Sequence, residues 1–152
     1  MSRIHFWRCA AAGAFFFFAA SSAAFAQAKV PSAELQEILI KASLLSFNDA
    51  NVTGNYTVFH AKLSKPFRDQ FPPEKLAATF KEFRDKRIDF DLIAAKKPIS
   101  TEEPKVNNGT LSIKGYFDTS PARLNYDLGF IVSEGEWKLL KIEVDMKKPD
   151  AK

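Results

Sequence analysis

The chain has 152 residues, of which 46% are hydrophobic and 26% charged, and its formal net charge is +4. That length suits one domain, too apolar for a disordered chain and too charged for a polytopic membrane protein. One cysteine and 6 glycines exclude a disulfide scaffold and a collagen-like repeat.

The first segment is unlike the rest. Arg3, His5 and Arg8 make a basic start, and an apolar run from Cys9 to Ala20 follows. Small residues then lead to Ala24-Phe25-Ala26 before Gln27. A basic start, a short apolar stretch and an A-x-A site read as a secretory signal peptide, residues 1–26, with an uncleaved anchor as the alternative. Cleavage leaves no stable membrane anchor. It also removes Arg3 and Arg8, so the net charge falls from +4 to +2. No central basic block remains to follow a phosphate backbone, so nucleic acid is not expected as a partner. The remaining domain, 27–152, has no cysteine, which fits export to a bacterial periplasm.

Within that domain the sequence predicts an ordered core over about 32–146. Leu35, Ile38, Leu39, Ala42 and Leu45 recur at helical spacing, so a helix is expected over 32–46. Pro31 and Ser32 suit its start, and Glu37 and Lys41 suit an ion pair one turn apart. The polar run Asn48 to Gly54 reads as a turn, with Asp49 part of it. A second helix is expected over 55–63, then a turn capped by Ser64 and carrying Phe67, closed by Pro72-Pro73. A further helix is expected from Pro73 to Lys86, with Leu76, Phe80 and Phe83 on its apolar side.

From Ile88 the apolar period becomes two. Ile88, Phe90, Leu92 and Ala94 alternate with Asp89, Asp91 and Ile93, which predicts a strand. The segment with Pro98 and Pro104 reads as an irregular edge strand. Asn107-Asn108-Gly109 is a hairpin turn, followed by a strand over 111–117. Pro121 marks the next turn, and 124–132 alternates again. Glu134-Gly135-Glu136 turns the chain into a last strand, Trp137 to Asp145, where Leu139-Leu140 signals a bulge. The fold class is therefore α+β, with N-terminal helices packed on a curved antiparallel sheet.

Chemistry-bearing motifs are sparse. His60 is the one histidine after residue 26, so no zinc or copper site of ordinary composition is expected. No G-x-S-x-G, G-x-G-x-x-G or P-loop pattern occurs. Asp89, Asp91 and Asp127 alternate with apolar residues and face away from the core, so no catalytic residue and no cofactor is assigned. If the core is hollow, Phe90, Phe117, Tyr126 and Phe130 are the expected lining of its cavity.

The order of helix, polar turn, a helix with Asn55-Tyr56-Thr57-Val58-Phe59, then sheet resembles the nuclear transport factor 2-like superfamily. The ending Gly135-Glu136-Trp137-Lys138, a turn leading into the last strand, carries the best local likeness. The resemblance covers most of residues 32–146. It implies a cystatin-like cone fold, shared by SnoaL-like and ketosteroid isomerase-like proteins, with an apolar cavity and often a homodimer formed through the sheet. It implies no particular activity. Three readings follow: an exported, non-catalytic binding or accessory domain for a small apolar ligand; an assembly module that dimerises through its sheet; and an isomerase- or dehydratase-type enzyme using a buried carboxylate.

Overall fold

The structure is a computed structural model that describes residues 29–147. The expected signal peptide, 1–26, and the residues after Lys147 lie outside the described residues. The described chain is α+β, with five helices ahead of a five-stranded open antiparallel sheet. The helices are α1 (Ala33–Thr53), α2 (Thr57–Lys62), α3 (Lys65–Gln70), α4 (Pro73–Thr79) and α5 (Lys81–Asp85). A 3-10 helix, Asp91–Ala95, leads into the strands β1 (Ile99–Ser100), β2 (Lys105–Asn107), β3 (Thr110–Phe117), β4 (Arg123–Ser133) and β5 (Glu136–Lys147).

α1 begins as its sequence directs. The Ser32 hydroxyl accepts from the Leu35 N–H, and Glu37 pairs with Lys41 at 2.9 Å. It does not stop at residue 46. The expected turn from Asn48 to Gly54 is instead two more turns of α1, ended by Gly54 at φ 73°. A left-handed residue is the usual helix stop, and glycine adopts it without a Cβ clash. The buried face is also offset from the expected stripe. Ile40, Leu44, Phe47, Asn48 and Asn51 are buried, whereas Ile38 is 55% exposed.

The two asparagines are tolerated inside because each is satisfied. The Asn48 amide donates to Asp89 Oδ1 at 2.9 Å and to Asp91 Oδ1 at 2.7 Å. Its carbonyl oxygen accepts from the Phe90 N–H at 3.1 Å. Asn51 donates to the Phe47 carbonyl at 2.9 Å and accepts from the Tyr56 hydroxyl. Beside them Phe47 is fully buried and touches four rings: Phe80 at 4.7 Å, Phe83 at 5.3 Å, Phe59 at 5.5 Å and Phe90 at 6.3 Å.

Two other expectations change. In place of the predicted strand over 88–94, an irregular segment leads through Phe90 into the 3-10 helix Asp91–Ala95, with Phe90 and Ile93 buried and Leu92 exposed. A spacing of three puts those two side chains on one side, as a 3-10 turn requires. The single helix expected from Pro73 to Lys86 breaks at Phe80, whose ring turns edge-on to Phe47. Ser64 stands at the start of α3, but its hydroxyl makes no cap hydrogen bond there.

The sheet follows its sequence closely. β1 and β2 lie along the same edge of β3, antiparallel to it, as one interrupted edge strand. Asn108 and Gly109 turn β2 into β3, and Glu134 and Gly135 turn β4 into β5, all four with positive φ. The register slips between Gly129–Lys141 and Phe130–Leu139, so Leu140 is the extra residue of a bulge, where Leu139-Leu140 signalled one. Strict alternation buries Leu111, Ile113 and Phe117 of β3 and Leu124, Tyr126, Leu128 and Phe130 of β4. Asp127 lies on the other face and pairs with Lys141 at 2.9 Å.

Phe47→Ala is expected to cost about 3–5 kcal/mol, the usual range for a buried phenylalanine. Asn48→Ala is expected to cost about 1–3 kcal/mol, because it strips the Phe90 N–H of its partner. Urea denaturation of each variant measures both. Asn48, and then the Asp91 N–H, hold the Asp89 carboxyl below its usual range. A depressed carboxylate adds stability above its unfolded value, about 3.9, and loses it as pH falls through the folded value. Stability should therefore drop below about pH 4, and less steeply in Asn48→Ala.

Candidate functional site

A groove of about 300 Å³ lies between α1, α2 and the β4–β5 hairpin. One wall is a single face of α1. Leu39, Ala42, Ser43 and Ser46 stand at successive helical spacings, so their side chains line up along it. The second wall comes from Phe59 and Lys62 of α2 with Leu63 after it. The floor is the core face of the sheet, where Phe130 of β4 pairs with Leu139 of β5. Trp137, half-buried, forms the lip with its neighbours Glu136 and Lys138.

The hairpin that borders the groove is fastened to the α2–α3 region. The Ser64 N–H donates to the Leu139 carbonyl at 2.9 Å, which pins the α2–α3 junction to the edge of β5. The Lys65 N–H donates to the Ser133 hydroxyl at 3.2 Å. At the hairpin turn, Lys138 Nζ donates to Glu134 Oε2 at 2.6 Å, and Arg68 Nη2 donates to both Glu134 carboxylate oxygens at 3.1 Å. The Lys138 and Arg68 hydrogen bonds, in that order, hold the Glu134 carboxyl below its ordinary range. These contacts fix the tip of the hairpin relative to α3.

Of the four expected lining residues, Phe130 borders this groove. Phe90 packs against Phe47 instead, and Phe117 and Tyr126 pack on each other at 5.7 Å. All four are buried. The Tyr126 hydroxyl lies over Gly115, its cross-strand partner, and has no hydrogen-bond partner. Burial pushes that phenol's pKa well up. A Cβ on Gly115 would sit 2.9 Å from Tyr126 Cζ and closer still to its hydroxyl and to the Ile99 carbonyl oxygen. Glycine is therefore required where the ring crosses the strand.

Trp137, Phe59, Ser43, Ser46 and Lys62 were not singled out as lining residues. Sequence spacing places Ser43 and Ser46 on one helix face with Leu39, but not against Phe59. Only the packed position of α2 brings the two walls together. His60 lies near the groove, yet its Nε2 stands 3.3 Å from the Arg68 carbonyl oxygen. Among the described residues no three or more metal-capable side chains cluster, and no helix is long and apolar enough to cross a membrane.

Comparison with known protein families, with characterised proteins and with solved structures finds no match for this chain.

Tyr126→Phe is expected to leave stability unchanged or raise it by up to about 1 kcal/mol, since it removes a buried hydroxyl that bonds nothing. Gly115→Ala should instead lower stability by about 1–3 kcal/mol through overpacking. Thermal and urea unfolding of the two variants, opposite in sign or nearly so, checks the placement of the ring.

Proposed function

We propose that this chain is an exported, non-catalytic binding domain of the cone-fold kind, taking a small apolar ligand in the groove beside Trp137. The observation that carries this reading is the lining of the groove. Leu39 and Trp137, both half-buried, present apolar surface at a partly open cavity above the buried rings of Phe59 and Phe130. A volume of about 300 Å³ lies at the lower end of small-molecule sites. The order of helices before an antiparallel meander, ending in Gly135-Glu136-Trp137-Lys138, supports the likeness to nuclear transport factor 2-like proteins. The export address rests on the pattern of residues 1–26.

The other readings have less support. The outer face of the sheet carries Lys114, Asp127, Lys141 and Glu143, joined in ion pairs with Glu102. Such a face is suited to water, since a close homodimer would have to desolvate it. An acid–base mechanism needs a carboxylate sheltered in the cavity. The carboxylate at the groove, Glu136, is exposed at its lip.

Trp137 gives the test a built-in reporter. In the full chain with Trp7→Phe, it is the one remaining tryptophan. Titration with 1-octanol should shift its emission to the blue and saturate. Ala42→Phe, at an exposed position of α1, should fill the groove and abolish the shift without lowering the unfolding midpoint. A Trp137 emission that ignores octanol in the parent chain would rule the binding reading out.

A further inference from the structure

We infer that the groove takes an uncharged ligand with a hydroxyl head, an alcohol rather than a hydrocarbon or an ion, and that Ser43 and Ser46 of α1 receive the head. This inference rests on the binding reading above and adds the class of ligand. The first support is a pair of hydroxyls that the protein leaves unmet. Asn48, Asn51 and Thr53, farther along α1, all bond protein groups. The Ser43 and Ser46 hydroxyls bond none of the described residues, and both serines line the groove. Ser46 is 6% exposed. It borders the groove and a second cavity of about 280 Å³ between α1 and α2, so a partner reaches it from those two openings. A nearly buried hydroxyl without a partner is unfavourable, and a ligand that bonds it removes that penalty. A hydroxyl head suits the pair because it donates and accepts at once, as each serine does.

The second support is the placing of apolar contact and charge. Phe59 and Phe130 are buried, so the apolar body of a ligand rests on half-buried Leu39 and Trp137. Ser43 stands one helical turn beyond Leu39, and Ser46 nearly one turn more, so a body on Leu39 brings its head to the serines. The charges around the groove select neither sign of ion. Lys62 stands against a cationic head, while Lys138 is already paired with Glu134 at 2.6 Å. Glu136 on the lip, Asp49 in the adjoining cavity and the carbonyl end of α2 stand against an anionic one. An ion entering the groove loses hydration with no charge partner reserved for it, whereas a neutral hydroxyl exchanges its water for the serines.

The experiment uses four probes that share a benzyl group and differ in the head: toluene, benzyl alcohol, benzylammonium and phenylacetate. Each is titrated separately into the full chain carrying Trp7→Phe, with Trp137 emission as readout. Benzyl alcohol should bind about tenfold tighter than either ion. Ser43→Ala combined with Ser46→Ala should weaken benzyl alcohol about threefold to tenfold, the loss of one or two hydrogen bonds, and leave toluene unchanged. Ser43→Ala alone, at a half-buried position, should give part of the same loss. Alanine favours a helix more than serine does, so both variants keep α1, and their unfolding midpoints check this. An ion that binds as tightly as benzyl alcohol would overturn the choice of a neutral head. Benzyl alcohol affinity that survives the double substitution, or a loss that toluene shares, would overturn the serine contact. In each of these cases toluene binding by the parent chain leaves the apolar groove standing. Failure of all four probes to bind would overturn the groove reading and this inference together.

Discussion

Phe47 and Asn48 are neighbours on α1, and between them they hold the helical half of the domain together. None of α2 to α5 exceeds seven residues. Helices that short do not persist alone in water, so each depends on what it packs against. Phe47 supplies that surface to α2 through Phe59, to the α4–α5 break through Phe80 and Phe83, and to the segment before the sheet through Phe90. Asn48 fixes the same segment by a different means, reading two carboxylates and one backbone N–H with a single amide. The ring supplies apolar contact, which is strong but tolerant of direction. The amide supplies direction, since its three hydrogen bonds are met by one placement of residues 89–91.

That division explains which parts of the fold were legible in sequence. Strand alternation is a local property, so β3 and β4 could be read from Leu111 to Phe117 and from Leu124 to Val132 without knowing what covers them. The turns at Asn108-Gly109 and Glu134-Gly135 and the bulge at Leu139-Leu140 were likewise written in adjacent residues. The misreadings fall where tertiary partners decide a segment's form, as at Asn48 and at Phe80. Asn48 reads as a turn former because the groups that satisfy it lie far along the chain, at Asp89, Phe90 and Asp91. The stretch from Ile88 to Ala94 is too short for periods of two and three to be told apart. The structure decides it by burying Phe90 and Ile93, which Asn48 holds in place.

The candidate site was legible only at Phe130, again for a physical reason. Whether an inward-facing side chain lines a cavity or a packed core depends on where the covering helices end. Phe117 and Tyr126 sit under full cover, and the glycine at 115 gives the tyrosine ring its space. Past Phe130 and Leu139 the cover runs out. Val132 and Trp137 pair with each other on the same face of the sheet, and Val132 is 52% exposed.

A partly covered apolar face would ordinarily tend to close, since each methylene removed from water is favourable by about 0.8 kcal/mol. Here closure is opposed by the fastening of the hairpin. The tip is tied to α3 through Arg68 and Glu134, its flank through Lys65 and Ser133, and the edge of β5 through Ser64 and Leu139. Moving Trp137 onto α1 would strain or break those hydrogen bonds, two of which involve charged groups. The ties use backbone and surface polar groups, the Leu139 carbonyl among them, and leave the apolar side chains of the groove free of them. Under the proposed binding reading, a ligand would find walls already placed, and little ordering cost would be set against the apolar area it buries. The half-buried aromatic lip and the fastened hairpin are thus two parts of one arrangement, since any movement of Trp137 toward α1 works against the polar contacts at the hairpin.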